Sequence, residues 1–104
     1  MAFFVSRTKS TSTSSEKITK ELTILNRLGM HARPSAMFVK VCNRHKADIW
    51  VEKDGEQVNG KSIMGLMMLA AGQGSKLRVI CEGSDAEKAV QEIEALIERK
   101  FDED

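Results

Sequence analysis

An excess of charge of either sign is what this chain most lacks. Its 16 lysines and arginines stand against 15 aspartates and glutamates, a formal net charge of +1. That balance supplies no electrostatic footprint for nucleic acid or for an anionic membrane surface. Long apolar runs are missing too. The longest mostly apolar stretch, residues 63–71, is far short of the about 20 residues that span a bilayer. Only two cysteines are present, Cys42 and Cys81, each in an apolar-periodic segment. That excludes a disulfide framework and reads as two buried free thiols in a reducing compartment. The two histidines, His31 and His45, show no metal-ligand spacing, so neither a metal nor a cofactor is expected. There are no internal repeats. What remains, 104 residues with 41% hydrophobic and 30% charged side chains, is one domain with a single modest core.

The chain is organised around Gly29-Met30-His31-Ala32-Arg33-Pro34. A glycine, an apolar residue and a histidine, then Arg-Pro opening an apolar-periodic run, read as a loop ending at a helix start. Pro34, the only proline, suits the first helical position, where its missing N–H costs nothing. His31 and Arg33 would then stand beside the free N–H groups of a helix N-terminus, which favour anions. A neutral imidazole there is a nucleophile, and the arginine fork suits phosphate oxygens. The residues alone therefore suggest a histidine that carries a phosphoryl group. The alternative is a surface histidine near a helix cap.

Residues 1–17 differ from the rest. Positions 10–15 are an unbroken Ser/Thr tract, with Arg7 and Lys9 before it and no acid before Glu16. Such a segment cannot bury enough apolar surface to order itself. The expectation is a disordered extension over 1–17 and a folded domain over 18–104. Phe3-Phe4-Val5 is too short for a signal-peptide core, and the positive charges follow it. The basic start is similar to an organellar transit peptide, but a disordered extension or an early start codon is the preferred reading.

The folded part reads as a strand over 20–25, a helix over 34–43, strands over 47–53 and 56–59, a helix from 62 to 71, a strand over 76–81 and a last helix. Phe38, Val39 and Cys42 form the inward stripe of the first helix, with Lys40 and Arg44 facing water. His45 near its end reads as a solvated loop histidine. Asp54-Gly55 is a strong hairpin signal. Ser62 is placed to cap the second helix, and Gly72 to end it. Ser84 and Glu87 have capping-box spacing. Ala89, Val90, Ile93, Leu96, Ile97 and Phe101 make the stripe of the last helix, and residues 102–104 read as a solvated tail. The class is α+β, in the order βαββαβα, with a four-stranded antiparallel sheet covered on one face by three helices. The pattern alone suggests a ferredoxin-like sheet plus a helix.

The segment from Gly29 to Pro34, followed by Ser35-Ala36-Met37-Phe38-Val39, resembles the active-site segment of HPr. This is the histidine-containing phosphocarrier family of the bacterial phosphoenolpyruvate-dependent phosphotransferase system. Val58-Asn59-Gly60-Lys61-Ser62-Ile63-Met64-Gly65-Leu66-Met67-Met68-Leu69 resembles that family's second signature, in the expected order and separation. The resemblance covers the chain from about Lys20 onward. It implies the HPr open-faced sandwich and a cytoplasmic monomer that is a carrier rather than an enzyme. His31 would take phosphate from Enzyme I and pass it to an EIIA-type domain, with Arg33 holding the phosphate oxygens. The matching serine in some bacteria is phosphorylated by an HPr kinase/phosphorylase, which marks Ser62 as a candidate regulatory site. Leu28 stands where many members have a small polar residue. Gly-Met-His-Ala-Arg-Pro and Phe101-Asp102-Glu103-Asp104 are closer to the nitrogen-related branch than to the sugar-transport members. A purely regulatory binding module of the same fold is the alternative.

Two further features shape the expectations. Residues 55–62 match the phosphate-binding-loop pattern G-x4-GKS, but Asp54-Gly55 is better used as a hairpin, leaving no cradle of N–H groups. The second helix is apolar all round, and a small domain covers only one side of it. Ile63, Met64 and Met67 are therefore expected to be exposed, joined by Ala32, Ala36 and Met37 and ringed by Arg33, Lys40 and Lys61, as one repackable partner surface.

Overall fold

Alternating apolar residues in four segments make strands that share one buried face. The computed structural model describes residues 16–103. The elements run β1 (Lys17–Thr23), α1 (Ala32–Cys42), β2 (Asp48–Lys53), β3 (Glu56–Asn59), α2 (Ile63–Met68), β4 (Lys76–Glu82), α3 (Ala86–Glu98) and a short turn (Lys100–Asp102). Every strand pairing is antiparallel, and the order across the sheet is β1-β4-β2-β3. A ferredoxin-like sheet would set β1 beside β3. Here they lie at opposite edges, so the fold is the open-faced sandwich.

Register brings Leu22 opposite Leu77, Ile49 opposite Cys81 and Val51 opposite Val79. These six side chains form the buried face of the sheet. Phe38 and Cys42 of α1, Leu66 of α2, and Ala89, Ile93 and Leu96 of α3 are buried with them in one core. Burial pushes the Cys42 thiol up to about 12 and the Cys81 thiol to about 11, so both are inert packing groups rather than nucleophiles. At the hairpin between β2 and β3, Asp54 and Gly55 both have positive φ, 53° and 84°, the backbone that a two-residue turn with native twist requires. Among the described residues, no helix is long and apolar enough to cross a membrane.

Several expectations change. β1 begins at Lys17, inside the expected extension, because backbone pairing with β4 continues to Glu82 whatever the side chains. Residues 1–15 lie outside the described residues. α1 starts at Ala32 with His31 as its N-cap, so Pro34 is the third helical residue rather than the first. The first-turn N–H groups have no intrahelical partners, which makes a proline tolerable there. α2 ends at Met68, and the left-handed residue after it is Ala70 (φ 52°), not Gly72. The chain turns early because Leu69 and Ala71 are buried in the core.

The capping box at Ser84 and Glu87 does not form. Asp85 is the N-cap of α3 and makes no side-chain cap bond. Its carboxylate instead accepts from the N–H groups of Lys46 (2.8 Å) and Ala47 (2.9 Å). These bonds, that from Lys46 foremost, hold the Asp85 carboxyl below the usual carboxylate range. They fasten the corner between α1 and β2 against α3. That closure overturns the solvated reading of His45, which is buried. Its Nε2 lies 3.1 Å from Glu92 Oε1 and its Nδ1 3.5 Å from Asp85 Oδ2.

Candidate functional site

The inward alternation of β1 continues past the strand. Leu22, Ile24 and Asn26 are all buried, so a polar side chain occupies the third core-facing position. The loop that follows is stapled to the segment before β4. Ile24 N–H donates to Ser75 O at 2.9 Å, Gly74 N–H to Ile24 O at 2.8 Å, and Met30 N–H to Ala71 O at 2.8 Å. Gly29 sits at φ +71° against the backbone of Ala71 and Gly72, a conformation and an approach open to glycine. The Asn26 amide donates to Gly29 O at 2.8 Å, fixing the loop's curvature. The entry to α1 is thereby held rigid from two sides.

His31 caps α1 with extended backbone (φ −76°, ψ −170°) and gives no side-chain cap bond. Its carbonyl accepts from Ser35 N–H, and the N–H groups of Ala32 and Arg33 have no partners within the helix. This is an anion-favouring terminus with a half-exposed imidazole at its rim.

The expected solvated tail is not one at Glu103. Phe101 is buried in the core, and it draws the residue two positions later onto the site. Glu103 Oε1 lies 3.1 Å from His31 Nε2 and accepts from the Asn26 amide at 2.8 Å. Glu103 Oε2 accepts from Arg33 Nη1 at 2.9 Å, and the same nitrogen donates to Phe101 O at 3.1 Å. Asp104 lies outside the described residues. With both amide hydrogens of Asn26 used, its Oδ1 is buried without a partner. A carboxylate against Nε2 favours the tautomer with its proton there, which leaves the ring's lone pair on Nδ1. Sequence reasoning missed Asn26 and Glu103. The signals were a polar residue in an apolar register and an acid just past Phe101, which the stripe had placed in the last helix but which is buried from the left-handed turn after α3.

These donors, the Asn26 amide foremost and then His31 and Arg33, hold the Glu103 carboxyl below the usual glutamate range. A carboxylate depressed in the folded state contributes stability that is fully present above its ordinary value of 4.5 and is lost as pH falls through the lower folded value. The contact between Glu103 and His31 is therefore expected to persist from neutral pH down to the ordinary glutamate range and to dissolve only below it. Carbon-13 titration of the Glu103 carboxyl checks this. A midpoint at or above the ordinary glutamate value would remove the contact.

A family model described as the PTS HPr component phosphorylation site matches residues 18–99. The chain belongs to the HPr family of the phosphotransferase system. The HPr-like protein Crh of Halalkalibacterium halodurans is 45% identical over 83 residues, covering 80% of this chain and 99% of its own length. The phosphocarrier protein HPr of Treponema pallidum is 44% identical over 87 residues, covering 84% of this chain and 99% of its own. The crystal structure of an HPr from Thermoanaerobacter tengcongensis matches with a TM-score of 0.78 at 44% identity, over 86% of this chain and 98% of that one. HPr proteins carry phosphate rather than catalyse its transfer.

The second HPr signature surrounds α2. Ser62 is its N-cap, and its Oγ accepts from Gly65 N–H at 3.0 Å. Residues 56–59 are strand β3, paired residue by residue with β2, so the G-x4-GKS match has no open phosphate cradle. Ile63, Met67 and Met68 are exposed, and Met64 most of all at 74%. Leu28, 65% exposed, lines a shallow depression of about 260 Å³ with Met30, His31, Ala70, Ala71 and Gly72, which joins the end of α2 to the histidine. Ala32, Ala36 and Lys40 are exposed and Met37 half-buried on α1. Lys61 is not a free rim charge. Its Nζ donates to His45 O at 2.9 Å.

Proposed function

We propose that this chain is a phosphoryl carrier that accepts phosphate from the phosphohistidine of Enzyme I on His31 Nδ1 and passes it to an EIIA-type domain, as a monomer. The observation that carries this reading is the 3.1 Å contact of His31 Nε2 with Glu103, at a helix N-terminus without a side-chain cap bond. In the step, the Nδ1 lone pair attacks phosphorus while the donor's P–N bond breaks, and the electron pair of that bond returns to the donor imidazole. The proton on Nε2 stays in place throughout, held by the carboxylate. Arg33 and the N–H groups of Ala32 and Arg33 receive the phosphoryl oxygens. Transfer in both directions needs a nearly balanced equilibrium, so these groups must not bind the product state too tightly.

The exposed apolar patch of Leu28, Ile63, Met64, Met67 and Met68 beside the histidine suits successive docking on a donor and an acceptor, since methionine repacks easily. Ala32, Ala36, Met37 and Lys40 extend it on α1. Met64→Asp and Lys40→Glu are expected to slow transfer about 10-fold or more, on the order of the 1.4 kcal/mol that one lost docking contact represents, with unfolding midpoints unchanged. Equal transfer rates for these variants in a coupled assay would refute the patch. Phosphorylation of Ser62 by an HPr kinase would set a dianion beside that patch and repel a partner.

The reading is tested by incubating the protein with phosphoenolpyruvate and purified Enzyme I and recording phosphorus NMR. The expected signal is an acid-labile phosphoimidazole with the shift of an Nδ1 adduct. Absence of any phosphoimidazole would favour a regulatory module of the same fold, acting by contact alone.

A further inference from the structure

The turn after α3 is unusual in its backbone. Lys100, Phe101 and Asp102 have φ of 58°, 54° and 58°, three successive left-handed residues with no glycine among them. Left-handed backbone is unfavourable for each of them. The turn must therefore be held from outside. Phe101 is held by the core, and Glu103 by His31, Arg33 and Asn26. Asn26 is fully buried, its Oδ1 has no partner, and both of its donors serve the loop and Glu103. The seat for this carboxylate is thus built into the site.

We propose that the turn Lys100–Asp102 with Glu103 is a latch that is closed on unloaded His31 and opens when the histidine carries phosphate; the inference rests on the carrier reading. Arg33 Nη1 is committed to Phe101 O and Glu103 Oε2 in the closed state. A phosphoryl dianion on the adjacent Nδ1 competes for that guanidinium, and it repels the Glu103 carboxylate on the same imidazole. Once Arg33 turns to the phosphate, the turn loses its charged anchor and its left-handed residues relax. Loading and latch opening are then coupled in both directions. A more stable latch must oppose loading, and a weaker one must favour it.

The experiment loads the full chain with phosphoenolpyruvate and a catalytic amount of Enzyme I and reads phosphorus NMR together with hydrogen exchange at two amides. These are Asp102 N–H, which donates to Arg99 O, and Glu103 N–H, which donates to Lys100 O. The expected result is a phosphoimidazole signal with exchange at both amides at least about 10-fold faster than in the unloaded protein, the ratio that 1.4 kcal/mol of coupling represents. A phosphoimidazole signal with unchanged exchange overturns the latch and leaves the carrier standing. No phosphoimidazole signal overturns the carrier and the latch with it. Lys100→Gly supplies a second reading, because glycine accepts positive φ and stabilises the closed turn. It should slow exchange in the unloaded protein and lower the loaded fraction several-fold at an equal, poised ratio of phosphoenolpyruvate to pyruvate. A loaded fraction equal to wild type, with slowed exchange, overturns the coupling.

Discussion

Replacing His31 with alanine is expected to abolish phosphoryl uptake completely while leaving the fold in place. No other described side chain at the site offers an imidazole lone pair. His45, the second histidine, is buried between Asp85 and Glu92 at the far end of α1. The loss should therefore be total rather than partial, since in the proposed reaction the histidine is itself the covalent intermediate. The fold should tolerate the change. The His31 ring is half-exposed and makes no capping bond to the helix, and substitutions at such positions shift stability by about 1 kcal/mol or less. Phosphorus NMR after incubation with phosphoenolpyruvate and Enzyme I reads the first part, and a denaturant midpoint the second. Residual acid-labile phosphate on His31→Ala would relocate the carrier residue.

Gly29→Ala is expected to be the most damaging small change in the loop. An alanine Cβ would press into Ala71 O and come within 2.8 Å of Gly72 Cα, both of them backbone atoms that cannot step aside. It would also have to hold φ +71°, which costs about 1–2 kcal/mol for a residue with a Cβ. Overpacking adds about 1–3 kcal/mol. Together these predict a loss of about 3 kcal/mol, together with a shift of the Met30 to Ala71 hydrogen bond that aims His31. Urea denaturation gives the stability, and the phosphoryl-transfer rate gives the misalignment. A loss below about 1 kcal/mol would mean that the loop is not pinned as described.

Local periodicity and turn chemistry were enough to read the elements. The hairpin at Asp54-Gly55, the stripes of α1 and α3 and the buried thiols follow from side-chain spacing that needs no partner to be recognised. Gly29, His31, Arg33 and Pro34 lie within six residues of one another, so the candidate histidine and its helix terminus were legible as a single motif. Element ends were less so. Pro34 fell inside the first turn of α1, and Ala70 rather than Gly72 took the left-handed position after α2. In each case distant packing, not local preference, chose where the chain turned.

By itself the sequence determined one small α+β domain, its apolar faces, an apolar second helix with an exposed side, and a histidine poised at a helix start. The tertiary structure alone decided the strand order, which depends on crossovers that no local pattern encodes. It also decided that His45 is enclosed, because Asp85 reaches back across 39 residues to bond Lys46 N–H. And it alone brought Glu103 to His31, 72 residues away in the chain. Charged and polar groups choose partners by distance and direction in space, so a lone acid past the last helix looks solvated in sequence. The burial of Phe101 then carries it to the one imidazole whose tautomer it sets.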